Sequence, residues 1–318
     1  AATTAGSLAL MRRTIQETSA ALVCANTVTV PWWLAAARLS GVRSLCHVHE
    51  AESQDPRLVR RLLAAPLALA DVVVVNSRTT RTTLCEVAPR LAARTRLIHN
   101  GVEPPPETPT DAPTRGPLRL VVVGRLSARK APDVALEATA ALRAAGRDVV
   151  LELCGTPGPG QEEYVARLRD RAARPDLAGA VTFSGYTSPI WPALARAHVV
   201  AAPSLGESFG NAVVEGQLAL RPVVATAVQG HLETVLDGVT GLLVPPQDPD
   251  ALAAAVGRLH DDPRLAGRLA RSGREEALAR FTADRYRAAM GELVDGLMDG
   301  LMDGLLPGLA DRRPTVGR

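Results

Sequence analysis

Leu118-Arg119-Leu120-Val121-Val122-Val123-Gly124-Arg125-Leu126-Ser127-Ala128-Arg129-Lys130-Ala131-Pro132 is the stretch on which the reading of this chain turns. The apolar, β-branched run from Leu118 predicts a buried strand, Gly124 breaks it, and Pro132 opens a helix. Loops after the carboxyl ends of strands are where open α/β sheets bind ligands. Lys130 is the only lysine among 36 basic residues. In so arginine-biased a chain, a lysine marks a position where a compact ammonium serves and a guanidinium does not. A planar Arg125 and a point-charge Lys130 in one such loop suit a diphosphate. The plainer alternative is a solvated surface lysine.

The same strand–loop–helix rhythm runs outward in both directions. Before it, β-rich runs fall at 21–30, 44–49, 72–77 and 96–100, with helical patterns near 31–40, 55–70 and 78–88. After it, apolar runs follow at 148–155, 180–185, 198–204, 221–227 and 241–245, with helices beginning near Pro132, Gln161, Pro189, Ser208 and Gly230. Between the halves lies Glu103-Pro-Pro-Pro-Glu-Thr-Pro-Thr-Asp-Ala-Pro-Thr-Arg-Gly-Pro117, too proline-rich for a core element. It reads as a semi-rigid linker. The pattern predicts an α/β protein of two Rossmann-like, doubly wound domains. Residues 1–103 form the first domain, 104–117 the linker, 118–285 the second domain, and 286–318 a C-terminal helix and low-complexity tail. The tail repeats Asp-Gly-Leu-Met from Asp295, and its glycines predict fraying.

Bulk composition sets limits on function. Hydrophobic residues make up 47% and charged residues 22%, ordinary for a globular protein. Aromatic content of 3% argues against stacking platforms for single-stranded nucleic acid. A net charge of +3 does not by itself imply a polyanionic partner, so no nucleic acid is expected. The small arginine excess in the first half leaves that domain open to peripheral contact with the inner face of a membrane. The longest apolar run, Leu62–Val75, is broken by Pro66 and Asp71 and is shorter than the ~20 residues of a spanning helix. Cys24, Cys46, Cys85 and Cys154 include no C-x-x-C pair and read as buried, reduced thiols of a cytoplasmic protein.

The densest chemistry lies at Pro203-Ser204-Leu205-Gly206-Glu207-Ser208-Phe209-Gly210-Asn211-Ala212-Val213-Val214-Glu215. A strand ends at Pro203, a glycine-containing turn follows, and a helix is expected from about Ser208. Amides at such a helix start bind anions. Glu207 sits in the turn and Glu215 about two helical turns on, so two carboxylates at different heights could hold different polyol hydroxyls. The bland alternative makes Glu207 part of an N-cap and Glu215 a solvated helix residue. His47 and His49, two apart on a strand, face one side. A satisfied core histidine is expected for His47 and a functional one for His49, just before Glu50 at a loop edge. No ligand set completes a metal site around the pair.

Gly-Arg-Leu-x3-Lys at 124–130 followed by Glu-x7-Glu at 207–215 resembles the donor domain of the family-four retaining glycosyltransferases of GT-B fold. Val181–Tyr186, Ala201–Ser204, Gly238–Val244, Asn76-Ser77 and Ile98–Val102 fit the same order, over about residues 20–290. The resemblance implies two domains facing a cleft, a nucleoside diphosphate sugar donor, an unidentified hydroxyl acceptor, and neither cofactor nor metal. It implies that Arg125 and Lys130 grip the diphosphate, Glu207 touches sugar hydroxyls and Glu215 the ribose. Gly124, Gly206 and Ser208 belong to the donor loops, with backbone amides of Phe209, Gly210 and Asn211 meeting donor oxygens. Gly155 and Tyr186 are implied for the base pocket, and His49 for the reacting sugar. The family's opening strand and glycine-rich loop have no counterpart here, and the chain starts at Ala1. The first domain is therefore expected to lack its beginning, and the chain to bind nucleoside diphosphate but transfer sugar poorly. The alternative is a non-catalytic nucleotide-sugar-binding remnant without a complete acceptor domain. A dinucleotide oxidoreductase fits less well, because no strand is followed by G-x-G-x-x-G.

Overall fold

The computed structural model describes residues 2–49 and 56–300. The chain divides into two compact units, one built from residues up to His99 together with those from Asp284 onward, the other running Asn100–Ala283.

In the first unit, α1 (Ala2–Glu17), β1 (Leu22–Ala25), α2 (Trp32–Leu39), β2 (Arg43–Val48), α3 (Arg57–Ala64), β3 (Val72–Val75), α4 (Arg78–Val87) and β4 (Thr95–Leu97) alternate as the pattern predicts. The four strands form one parallel sheet in the order β1-β2-β3-β4. Alternation along each strand sends side chains to two apolar layers. Cys46, Val48, Val73 and Val75 pack with Leu34, Leu67 and Leu84, while Leu45, Val72 and Val74 pack on the opposite face. Cys24 falls between the inward Val23 and Ala25 of edge strand β1 and is exposed, and Cys85 is half-buried. Of the four free thiols only Cys46 and Cys154 are buried, which corrects the expectation for the other two.

The second unit carries β5 (Leu118–Val123), α5 (Pro132–Ala144), β6 (Val149–Cys154), α6 (Glu162–Ala172), β7 (Val181–Gly185), α7 (Trp191–Arg196), β8 (Val199–Ala202), α8 (Asn211–Leu218), β9 (Val223–Thr226), α9 (His231–Thr234), β10 (Leu242–Val244), α10 (Pro249–Asp261) and α11 (Pro263–Arg280). Its sheet is parallel throughout, ordered β10-β9-β8-β5-β6-β7. Leu120 and Val122 face a layer with Leu136 of α5, Val256 of α10 and Leu269 of α11. Val121 faces Leu194 of α7 and Val213 of α8. Helices on both faces explain why these strands read as continuous apolar runs. The winding starts at β5, moves one way to β7 and then reverses to β8, so β5 and β8 flank the switch point.

Two boundaries differ from the sequence reading. Residues 104–117 lie with the second unit. Arg221, almost wholly buried, donates to the carbonyls of Leu194, Ala195 and Leu220 and, at 2.8 Å, to that of Thr110. Proline content marked this stretch as non-core, and a buried guanidinium then fastens it to the surface. The final described helix, α12 (Ala283–Met298), belongs to the first unit, where Tyr286, Met290, Leu293 and Leu297 pack beside Leu45, Val72 and Val74. Their spacing is one helical stripe, so this face of the expected C-terminal helix packs on the first unit's apolar layer. Fraying is expected from Asp295, but α12 continues through Met298, and the repeat beyond residue 300 lies outside the described residues. No described helix is long and apolar enough to cross a membrane.

Candidate functional site

The switch point of the second unit is a crevice walled by the loops that follow β5 and β8. Two hydrogen bonds staple these loops together: Leu205 N donates to the Arg129 carbonyl at 2.8 Å, and Arg129 Nη1 to the Gly206 carbonyl at 3.0 Å. Gly124, Arg125, Lys130, Glu207 and Gly210 line a cleft there. Lys130 Nζ pairs with Glu207 Oε2 across it. The loop after β9 supports Glu207 from behind: its amide donates to Gln229 Oε1 at 3.1 Å, and its carbonyl accepts from Gly230 N at 2.8 Å.

Burial alone would push the Glu207 carboxyl up, but the Lys130 ammonium outweighs it and holds the group below its usual range. The carboxylate is ionised and bonded to lysine, and it does not cap the helix. The helix expected near Ser208 begins at Asn211, after Gly210 at φ +106, with no side-chain cap. A Cβ on Gly210 would sit 2.9 Å from the His231 ring, so tertiary packing as well as backbone angle demands glycine there. The first turn of α8 has no side-chain cap, and Gly210 and Ala212 at its start line the cleft, the setting in which helix-start amides take an anion. Arg125 is exposed and makes no ion pair among the described residues.

Glu215, in the second turn of α8, makes no side-chain hydrogen bond or ion pair among the described residues. Burial, only partly offset by Lys130, pushes its carboxyl up to about 7. His231 was not anticipated from the sequence. It is buried against Gly210 and lines the cleft. Burial pushes its imidazole down to about 4, so it is neutral near pH 7. Its Nδ1 lies 3.1 Å from the Thr226 carbonyl, which can only accept, so the proton is on Nδ1 and Nε2 is an acceptor. Applying to β9 the strand-end rule used for β5 would have found it.

Other expected residues fall in different settings. The Phe209 side chain is core, edge-on to Phe281 at 5.3 Å, so only its backbone is available to a ligand. Asn211 is exposed, and its Oδ1 accepts from Asn100 Nδ2 at 3.1 Å. Ser208 lies in the loop before α8, and Gly206 lies beside Gln229. Tyr186 is 81% exposed after the edge strand β7 and does not line the cleft. Gly155 directly follows β6, where an added Cβ would overlap the Gly124 carbonyl at 1.8 Å. Gly155→Ala should therefore displace the Gly124–Arg125 turn, costing about 3 kcal/mol or more. A chemical-denaturation midpoint equal to that of the unsubstituted chain would contradict this.

Two family profiles cover most of the chain: that of "Glycosyl transferases group 1" matches residues 117–262, and that of "Glycosyltransferase Family 4" residues 3–104. The chain belongs to the family-four glycosyltransferases. Among its relatives are D-inositol 3-phosphate glycosyltransferases. That of Salinispora tropica is 40% identical over 181 residues, 55% of this chain and 37% of the relative. That of Nocardioides sp. is 32% identical over 278 residues, 76% of this chain and 59% of the relative. The chain thus spans under two thirds of these relatives' lengths. Among solved structures, Anabaena HepE in complex with UDP-glucose superposes with TM-score 0.82 at 24% identity, over 91% of this chain and 82% of that one. Sucrose-phosphate synthase from Thermosynechococcus elongatus gives 0.78 at 26%, over 92% and 77%. The architecture is that of the GT-B glycosyltransferases, two parallel-sheet α/β domains.

In the first unit of this family-four chain, His49 follows the end of β2, with Nε2 2.8 Å from Asn26 Oδ1. Its ring lies 4.0 Å from that of His47. His47 is buried, with Nδ1 3.3 Å from the Tyr286 hydroxyl of α12. Its Nε2 has no partner among the described residues, so among them the expected satisfied core histidine is satisfied on one nitrogen only. Burial pushes its imidazole down to about 4. Glu50 lies outside the described residues. Among the described residues no group of three or more His, Cys, Asp or Glu could hold a metal ion.

Proposed function

We propose that this chain binds the diphosphate of a nucleoside diphosphate sugar in the crevice between β5 and β8. There it transfers the sugar to an acceptor hydroxyl with retention of anomeric configuration, without a metal. The observation that carries the reading is the Lys130–Glu207 ion pair at the switch point, with Arg125 exposed on the same cleft wall. A diphosphate entering there meets two cations and the first amides of α8. These groups are aimed where charge grows as the bond between the anomeric carbon and the phosphate oxygen breaks. The acceptor oxygen takes that carbon, and the proton it loses balances the charge of the departing diphosphate.

Glu207, ionised and turned toward the cleft, accepts from sugar hydroxyls. Glu215 accepts from the ribose. The neutral His231 braces the Glu207–Gly210 loop. HepE, whose structures hold UDP and UDP-glucose, makes UDP-glucose the first donor to try. The relatives' names make an inositol phosphate an early acceptor.

The test is proton NMR of the reducing sugar released from UDP-glucose and other nucleoside diphosphate sugars by slow hydrolysis, before mutarotation. The α anomer should appear first, with Glu207→Gln lowering its rate by about a hundredfold. Release of the β anomer would contradict retention. Donor binding with no cleavage and no transfer across the panel would leave a nucleotide-sugar-binding protein without catalysis.

A further inference from the structure

The Ile98–Val102 stretch after β4 has no part in the function proposed above, yet it reaches the start of α8. Asn100 Nδ2 donates to Oδ1 of Asn211, the first residue of that helix, at 3.1 Å. Both residues belong to the second unit, and Asn211 lies between Gly210 and Ala212, which line the cleft. Asn100 sits on fixed backbone. Two residues on, Val102 N donates to the Phe281 carbonyl at 2.8 Å, and the Val102 carbonyl accepts from Ala283 N at 3.1 Å. The Val102 side chain is buried in the cluster that holds Phe209 and Phe281. Asn100 is thereby held beside the turn that leads from Phe209 into α8.

An asparagine in the first turn of a helix can bond neighbouring backbone amides with its own Oδ1. Here α8 has no side-chain cap, and Asn211 Oδ1 is taken by Asn100. The first-turn amides therefore stay open to an anion. Oδ1 is the acceptor of the carboxamide and Nδ2 its donor, so engaging Oδ1 also sets the sense of the group. Asn211 Nδ2 has no partner among the described residues. Diphosphate oxygens only accept, so a carboxamide turned the other way would set oxygen against oxygen. We infer that Asn100 is a positioning residue for donor binding. It holds the Asn211 carboxamide so that Nδ2 is left for donor oxygens and the α8 amides are unobstructed. The inference rests on the β5–β8 crevice being the donor site.

The experiment is calorimetric titration of the full chain with UDP, GDP and ADP, repeated for Asn211→Ala, Asn100→Asp and the two combined. Circular dichroism accompanies each to show that it is folded. Asn211→Ala removes one hydrogen-bond donor and should weaken nucleotide binding about threefold. Asn100→Asp should do more harm, about tenfold or more, because a carboxylate only accepts. It would draw Asn211 Nδ2 to itself and leave Oδ1 facing the diphosphate. Adding Asn211→Ala to Asn100→Asp should then bring affinity back to about threefold below that of the unsubstituted chain. Neither simple charge repulsion nor a damaged fold would give that rescue. Normal affinity in Asn100→Asp, or a combined variant as weak as Asn100→Asp alone, would overturn the inference and leave the donor site standing. No nucleotide binding by the unsubstituted chain would overturn both.

Discussion

Lys130→Ala is expected to lower kcat/KM for donor cleavage by about two to three orders of magnitude and to destabilise the second unit as well. On sequence alone this substitution would be expected to spare the fold. The ion pair changes that, because Lys130 is the counter-ion of a carboxylate that is 9% exposed. Leaving such a group unpaired costs about 3 kcal/mol. The sign follows from the carboxyl's position. With Lys130 present, Glu207 titrates below its usual value, so the pair adds stability above the ordinary carboxylate range that is lost on acidification. Without Lys130, burial dominates and the order reverses, so the variant should be weakest near about pH 8 and recover toward about pH 5. Urea unfolding at both values checks this. Lys130→Met combined with Glu207→Leu should restore stability without restoring activity, since it removes both charges and keeps the volume. Lys130→Arg should fail to rescue turnover, the guanidinium being too broad for the gap the ammonium fills. Unchanged stability and unchanged turnover in Lys130→Ala would place Lys130 on the surface.

Glu215→Gln is expected to do the opposite to stability. Its carboxyl is pushed from 4.5 to about 7 by burial. A carboxyl raised in the folded state stabilises at low pH, and that contribution disappears as pH rises from the unfolded value through about 7. Above that window the ionised group costs about 3 kcal/mol. Glu215→Gln should therefore unfold at higher denaturant near about pH 8, by about 2–3 kcal/mol, with little change near about pH 4. It should also bind nucleoside diphosphate more weakly, because an amide accepts more poorly from ribose hydroxyls than a carboxylate. In the unsubstituted chain, affinity should rise with pH through about 7, and this dependence should flatten in the variant. Greater stability joined to weaker binding is the mark of a side chain held in place for a ligand. Reduced stability near pH 8 would mean that Glu215 has a structural partner and would remove the ribose assignment.

Much of this was legible because it is local. A valine run, a glycine and a proline place β5, its loop and α5 at 118–144 without any tertiary information, and the parallel sheet follows from continuous apolar strands. What was misread depends on residues distant in sequence. The start of α8 moves from Ser208 to Asn211 because Gln229, Gly230 and His231, from the loop after β9, hold the preceding turn. Tyr186 lies next to a strand end, but that strand is β7, at the sheet edge and two strands from the switch point. The proline-rich 104–117 segment has the composition of a spacer, and only the buried Arg221 shows that it is fastened down.

The central claim is that the β5–β8 crevice holds the diphosphate, and isothermal titration calorimetry with UDP, GDP and ADP tests it most directly. At least one should bind the unsubstituted chain. Its affinity should fall about tenfold or more in Arg125→Ala and be lost in Lys130→Met/Glu207→Leu, with circular dichroism showing that the fold of each is kept. Tyr186→Ala, outside the crevice, should bind normally. Undiminished affinity in both crevice variants would contradict the account and place the nucleotide elsewhere.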